Sequence, residues 1–280
     1  MLGAISIGLR TNSYYQLSEF MGENFEEIFT ETGRYSNTAR RWFYVQKLSQ
    51  LLPIQSSALF HSMKLYNFYE DVSGLLFNLH KIKVDFSNKG QSTNILNEWV
   101  KYRTFGSMPH IFNGLMLNKN SMLFIHTLSY HVDWVTNFDS RQSSTDIFYN
   151  DDRIGYLVNM MNQESVNKLY SLRQNNFRIL FQPLKQSDLV SAIVLPRQFY
   201  NLKDIRQNFQ VCLYLMKVNK MDIYYKASKF GNIKLKLPKF KIRRHDYFDE
   251  ILKNFGIIDI FDPDLSDLGT MTNTMSLLEI

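Results

Sequence analysis

The chain has one cysteine, six prolines and twelve glycines in 280 residues. A lone Cys212 cannot close an intramolecular disulfide, so no disulfide framework holds the fold. It lies in the apolar run Val211-Cys212-Leu213-Tyr214-Leu215 and reads as a small hydrophobe rather than a nucleophile. Scarce Pro and Gly, with no repeat period, exclude low-complexity linkers and solenoids. No stretch approaches the roughly 20 consecutive apolar residues of a membrane-spanning helix. Met1 to Leu9 is apolar but short and lacks a basic flank, which makes it a poor secretory leader. No Asn-x-Ser/Thr sequon occurs, and the phosphate-binding patterns GxGxxG and GxxxxGKS/T and the GxSxG elbow are missing. One Cys and six scattered His provide no zinc spacing. His131 and Asp133 would share a strand face without a third ligand. Asp262, Asp264 and Asp267 lack the Gly and terminal Glu of a calcium loop and read as a polar turn. Asp151-Asp152 reads as a solvated turn. Nothing here argues for an enzyme, a metal or a cofactor; a binding, inhibitory or structural protein is expected.

Aromatic residues are plentiful: 22 Phe, 16 Tyr and 3 Trp. Rings in that number need deep cores or sheet faces to bury them. The charge balance, 32 basic minus 26 acidic residues, is +6. That is modest for this length, and no nucleic-acid module accompanies it. Arg40, Arg41 and Lys47 form one basic concentration, with positions 40 and 47 on one face of a predicted helix. Lys234, Lys236, Lys239, Lys241, Arg243 and Arg244 form another, read as a solvated face.

Periodicity predicts helices over Tyr14–Met21 (stopped by Gly22), Thr38–Leu52, Phe68–Leu79, Ile95–Lys101 and His245–Phe255 (closed by Gly256). Strands are predicted over Ser57–Tyr66, Lys81–Phe86, Ser121–Tyr130, Met221–Tyr225 and Ile233–Leu237, with an antiparallel pair at Phe177–Phe181 and Leu189–Leu195. Helices first and strands later, without βαβ alternation, predict an α+β fold with a mixed or antiparallel sheet. No linker divides the chain, so a single domain over 1–280 is expected.

Several segments resemble one family in register. Leu235-Lys236-Leu237-Pro238-Lys239-Phe240-Lys241-Ile242 is similar to the "LPKFKI" strand of the serpins. Ile251 to Ile257 and Ile260 to Leu268 follow at the spacing of the serpin stretch "L…LGI.D.F….ADLS.L". Val190 to Pro196 with Asn201-Leu202 resembles "SM.ILLP….L", and Trp134, Phe138, Thr145 and Phe148 fit "W…F….T….F". Asn97-Glu98-Trp99-Val100 fits "IN.WV", and Gly8 to Ser13 resembles "GARGNT". The chain is thereby identified as a member of the serpin family.

The resemblance implies a serpin-like α+β fold, with N-terminal helices packed on mixed and antiparallel sheets. It also implies suicide inhibition of serine or cysteine endopeptidases, in which a cleaved reactive loop inserts into sheet A. It implies that sheets A and B are incomplete here, that the domain is partial at both ends, and that the hinge, the bait residue and the strand beyond the insertion gap lie outside these residues. The 280-residue polypeptide is therefore expected not to trap a protease. Undercovered faces at Ile179, Phe181, Ile193 and Leu195 are expected to favour aggregation or strand-swapped oligomers. His126 occupies the shutter position where the family has Asn, a departure expected to alter insertion. Arg40, Arg41 and Lys47 fall on the helix that binds sulfated polysaccharide in some serpins, making them the candidate glycosaminoglycan contact. No nucleic-acid or membrane partner is expected, and a protease partner only where a reactive loop exists. The resemblance implies an extracellular location, with an intracellular one as the alternative.

Overall fold

The computed structural model describes residues 1–30, 33–50, 55–114, 121–129, 133–185, 189–205, 220–241, 243–273 and 277–279; Cys212 and His131 lie outside them. In chain order the elements begin with α1 (Leu2–Ser6), α2 (Thr11–Met21), α3 (Asn37–Gln50), β1 (Gln55–His61), α4 (Asn67–Phe77), β2 (Leu79–Lys83), α5 (Lys89–Arg103) and β3 (Ser121–Leu128). They continue with β4 (Ser144–Tyr149), β5 (Gly155–Tyr170), β6 (Phe177–Pro183), β7 (Val190–Pro196), α6 (Lys220–Ala227), β8 (Lys229–Pro238), α7 (Phe248–Asn254) and β9 (Leu277–Glu279). Two compact units result: Met1–Tyr130 with Arg243–Ile280, and His131–Ile242.

In the first unit the sheet order is β2-β1-β3-β9. Strand β1 pairs β2 in parallel and β3 antiparallel, and β3 pairs β9 in parallel. Both faces of this sheet are covered. Leu59, Met122 and Phe124 join a core with Ile5, Leu17, Tyr69 and Val72 from α1, α2 and α4. The alternate residues Ala58, Phe60, Leu123 and Ile125 pack against Leu96 and Val100 of α5 and against Val84 and Phe86. Two-sided burial explains why these strands read as unbroken apolar runs rather than alternating ones. Burying each such side chain contributes about 1.5–3 kcal/mol.

Local signals set the helix ends. Gly22 closes α2 at φ 63, a left-handed conformation that suits glycine. Helix α5 starts earlier than predicted because the Asn88 side chain caps it, accepting from Gln91 N–H, while the Ser92 hydroxyl donates back to the Asn88 carbonyl at 2.9 Å. Asn97 then anchors the following loop. Its Oδ1 accepts from the Ile111 and Phe112 backbone N–H groups at 2.9 Å each, and its Nδ2 donates to the Phe112 carbonyl at 3.0 Å.

In the second unit the order is β4-β5-β6-β7, with β8 also pairing β5. Strand β5 is the backbone of this sheet and was not predicted. Its polar run from Asn162 to Asn167 hides the alternation, and the sheet absorbs that polarity by hydrogen bonding. Gln163 donates to the Thr136 carbonyl at 2.6 Å and accepts from Gln182 at 2.7 Å, and Asn167 donates to Ser165 at 2.8 Å.

Two expectations are corrected here. Met221–Tyr225 is helical, within α6, because Met221, Tyr224 and Tyr225 sit at i, i+3 and i+4 and share a helix face. That face packs Tyr224 at 4.7 Å from Tyr170 and Tyr225 at 5.2 Å from Phe181, ring centre to ring centre. Helical spacing thus prevails over the strand preference of aromatics. In consequence Ile179 and Phe181 are buried beneath α6 and Ile205, not undercovered; Leu195 is the member of that group left exposed.

Candidate functional site

Strand β3 is the centre of the first unit's sheet. Its register with β1 runs from Met122 opposite His61 to Leu128 opposite Gln55. On its other side, β9 pairs only with Ser121, Met122 and Leu123. Among the described residues, Phe124–Leu128 is therefore hydrogen-bonded into the sheet on the β1 side alone. Leu277–Glu279 lies as a parallel neighbour at the start of β3.

His126 lies on that stretch of β3, directly across from Ser57, and its Nδ1 sits 2.8 Å from Ser57 Oγ. The ring keeps contact with solvent, yet the protein crowded around it withdraws water from an imidazolium. That desolvation, with the positive charge of the Met1 amino group second, lowers its pKa to about 4. His126 is accordingly neutral at physiological pH and makes one cross-strand hydrogen bond. The nearby His61 is buried at the other end of β1, its Nδ1 2.7 Å from the Met63 carbonyl, and desolvation lowers its pKa as well.

The predicted basic group lies on α3. Arg40, Arg41 and Lys47 are all exposed. Arg41 forms an ion pair with Glu23 at 2.5 Å, whereas the Lys47 ammonium rests over the Phe43 ring, 4.8 Å from its centre. Arg40 and Lys47 share one face with exposed Tyr44, while Arg41 points a quarter-turn away toward its acidic partner. The second basic group is spread among partners: Lys236 with Asp146 at 2.8 Å, Lys234 with Glu164 at 3.9 Å, and Arg244 with Asp246 at 2.6 Å. That is the solvated face the sequence suggested. Among the described residues no group of His, Cys, Asp or Glu side chains could hold a metal ion. No helix among them is long and apolar enough to cross a membrane. Asp262 and Asp267 cap local backbone N–H groups, and Asp151 accepts from Leu202 N–H.

A family model described as Serpin (serine protease inhibitor) matches residues 1–280. The chain belongs to the serpin family. Iripin-2 of Ixodes ricinus is 23% identical over 285 residues, covering 99% of this chain and 70% of the iripin. Among solved structures, a cleaved Serpin 42Da superposes with a TM-score of 0.81 at 20% identity, covering 98% of this chain and 71% of that one. Native protease nexin-1 with heparin superposes with a TM-score of 0.82 at 17% identity, covering all of this chain and 74% of its own. The serpin fold, with helices on mixed and antiparallel sheets, is thus shown, and serpins are in general protease inhibitors rather than enzymes. Within this serpin, His126, the β3–β9 pair and the α3 face are brought to the first unit by elements far apart in sequence. Sequence reasoning missed β9 because three strand residues behind a run of Thr, Met and Asn carry no readable period.

Proposed function

We propose that this chain is the strand-accepting body of a serpin-type inhibitor of serine or cysteine endopeptidases, and that the 280-residue polypeptide alone does not trap a protease. The observation that supports this is the short parallel contact between β3 and β9, beyond which Phe124–Leu128 has one unpaired edge among the described residues. In loop-insertion inhibition a cleaved loop becomes a new strand at this seam, and the trapped enzyme is carried with it. Trapping needs a scissile residue and a small-residue hinge, and the serpin resemblance assigns neither role within these 280 residues. Incubation with trypsin-like proteases, followed by denaturing electrophoresis, tests both halves. The 280-residue chain gives no SDS-stable complex, and a product extended by a hinge and loop gives one. Failure of the extended product sinks the inhibitor assignment; a complex from the shorter chain sinks the second half.

A second reading is that the chain acts as a non-inhibitory binding protein for a sulfated polysaccharide. It is favoured by the exposed face carrying Arg40 and Lys47 on α3, and a protease nexin-1 of the same fold was solved with heparin. Arg41, committed to Glu23, contributes less. Retention on a heparin column falls on Arg40→Ala with Lys47→Ala and changes less on Arg41→Ala; unchanged retention in the double variant rules this face out. An extracellular location fits both readings, with an intracellular one the alternative for the inhibitor.

A further inference from the structure

Helix α5 is followed by an aromatic residue at a position where glycine is usual. Thr104 is its C-cap, and the next residue, Phe105, sits at φ 51, ahead of Gly106 at φ 73. The Gly106 N–H closes the turn by donating to the Lys101 carbonyl at 2.8 Å. A left-handed backbone suits Gly or Asn and is strained for a bulky side chain. Burial does not offset the strain, because Phe105 is 73% exposed and Tyr102, three residues earlier, is 75% exposed. Strain held without a packing gain is a mark of binding surfaces.

Arg103 lies between these two aromatic residues in sequence. Its guanidinium carbon is 5.5 Å from the Tyr102 ring centre and 5.8 Å from that of Trp99. No carboxylate pairs with it among the described residues. Its Nε is the one guanidinium nitrogen that is buried without a partner, so a ligand meets the group at its terminal nitrogens. Rings on the guanidinium restrict it before an acceptor arrives. Tyr102, Arg103 and Phe105 line a cavity of about 480 Å³ together with Glu98 and Lys101. Lys101 and Glu98 pair with each other at 3.1 Å, which leaves the single positive charge of Arg103 uncompensated. That balance calls for a monoanion rather than a polyanion.

We propose that this cavity docks a segment of a partner protein that carries an Asp or Glu beside an aromatic residue. The carboxylate accepts from the terminal nitrogens of Arg103 in the forked geometry that a guanidinium favours. The aromatic ring packs on Tyr102 and Phe105. Tyr and Arg are among the side chains that most often carry the binding energy of protein interfaces. The site uses no residue of β3 or α3 and does not depend on either reading of the function.

Tryptophan-labelled full chain gives three indole N–H signals, one for each of Trp42, Trp99 and Trp134. Trp99 lies against Arg103 and reports on it. Titration with acetyl-Asp-Phe-amide moves the Trp99 signal saturably and leaves the other two in place. Acetyl-Asn-Phe-amide, of the same shape without the charge, and acetyl-Asp-Ala-amide, without the ring, each bind roughly tenfold more weakly. Sodium sulfate at the same concentrations gives no saturable shift. Asn accepts the backbone conformation of residue 105, so Phe105→Asn keeps the melting temperature at or above that of the parent while weakening the peptide roughly tenfold. Arg103→Lys keeps the charge, loses the fork and weakens binding in the same direction. The proposal is overturned by a Trp99 signal that does not saturate, by the neutral peptide or sulfate binding as well as the acidic peptide, or by affinity unchanged in both variants.

Discussion

The two sheets of this protein are built on opposite terms. In the first unit β1 and β3 are apolar on both faces and lie between two cores. In the second, one face of β6 is sealed by α6, while Leu157, Val166, Leu195 and Phe230 stand in solvent, with Leu157 77% exposed. A strand buried on both sides has every residue constrained by packing, so volume changes there are costly. A strand buried on one side alternates between constrained and free positions, and its exposed apolar residues contribute solubility risk rather than stability.

Four measurements sharpen or break that comparison. The largest effect is expected from Phe60→Ala, since the ring is fully buried and packs edge-on against Trp99 at 5.7 Å. A loss of about 3–5 kcal/mol is expected, read by urea unfolding with Trp99 fluorescence as the probe of the first unit. Asn97→Ala comes next. It leaves the Ile111 and Phe112 N–H groups without their acceptor and lowers stability by about 1–3 kcal/mol in the same assay. A loss below a few tenths of a kcal/mol would show that water replaces the amide at no cost.

Third is pH. The pKa of His126 in the fold is about 4, below the 6.5 of an ordinary imidazole side chain, so the unfolded chain binds more protons between those values. Its contribution is complete above about pH 6.5 and disappears as pH falls toward 4; His61, lowered in the same direction, adds to the slope. Because the His126 ring is partly exposed, the effect should be under about 1 kcal/mol. A stability profile of His126→Asn that is no flatter than the parent across that window would contradict this account. The smallest effect is Leu157→Ser in the second unit, within about 0.5 kcal/mol by unfolding with Trp134 as the probe, accompanied by less aggregation in light scattering. A loss comparable to Phe60→Ala would erase the distinction between the two sheets.

Much of the fold was legible because local rules and tertiary packing agree. The Gly22 stop, the helix of α4, the β6–β7 pair and the strict alternation of β8 all appear where periodicity puts them. Disagreement arose where neighbours distant in sequence overrule a local pattern. The aromatics of α6 favour a strand in isolation but find Tyr170, Phe177 and Phe181 along a helix face. The amides of β5 read as loop but are satisfied inside the sheet. Of the candidate site, the basic residues of α3 were legible from their spacing. That Arg41 is held by Glu23 was not, since the pair depends on how α3 meets the segment after α2.

The motif order by itself pointed to the family and the order of predicted elements to the α+β class, because each is carried by short runs whose residue types report local packing. Tertiary structure alone decided that β9 joins β3 in parallel and that His126 meets Ser57. Each joins residues that are near neighbours only after the sheet has formed. Sequence patterns reach across a few residues, whereas hydrogen bonds and burial reach across space.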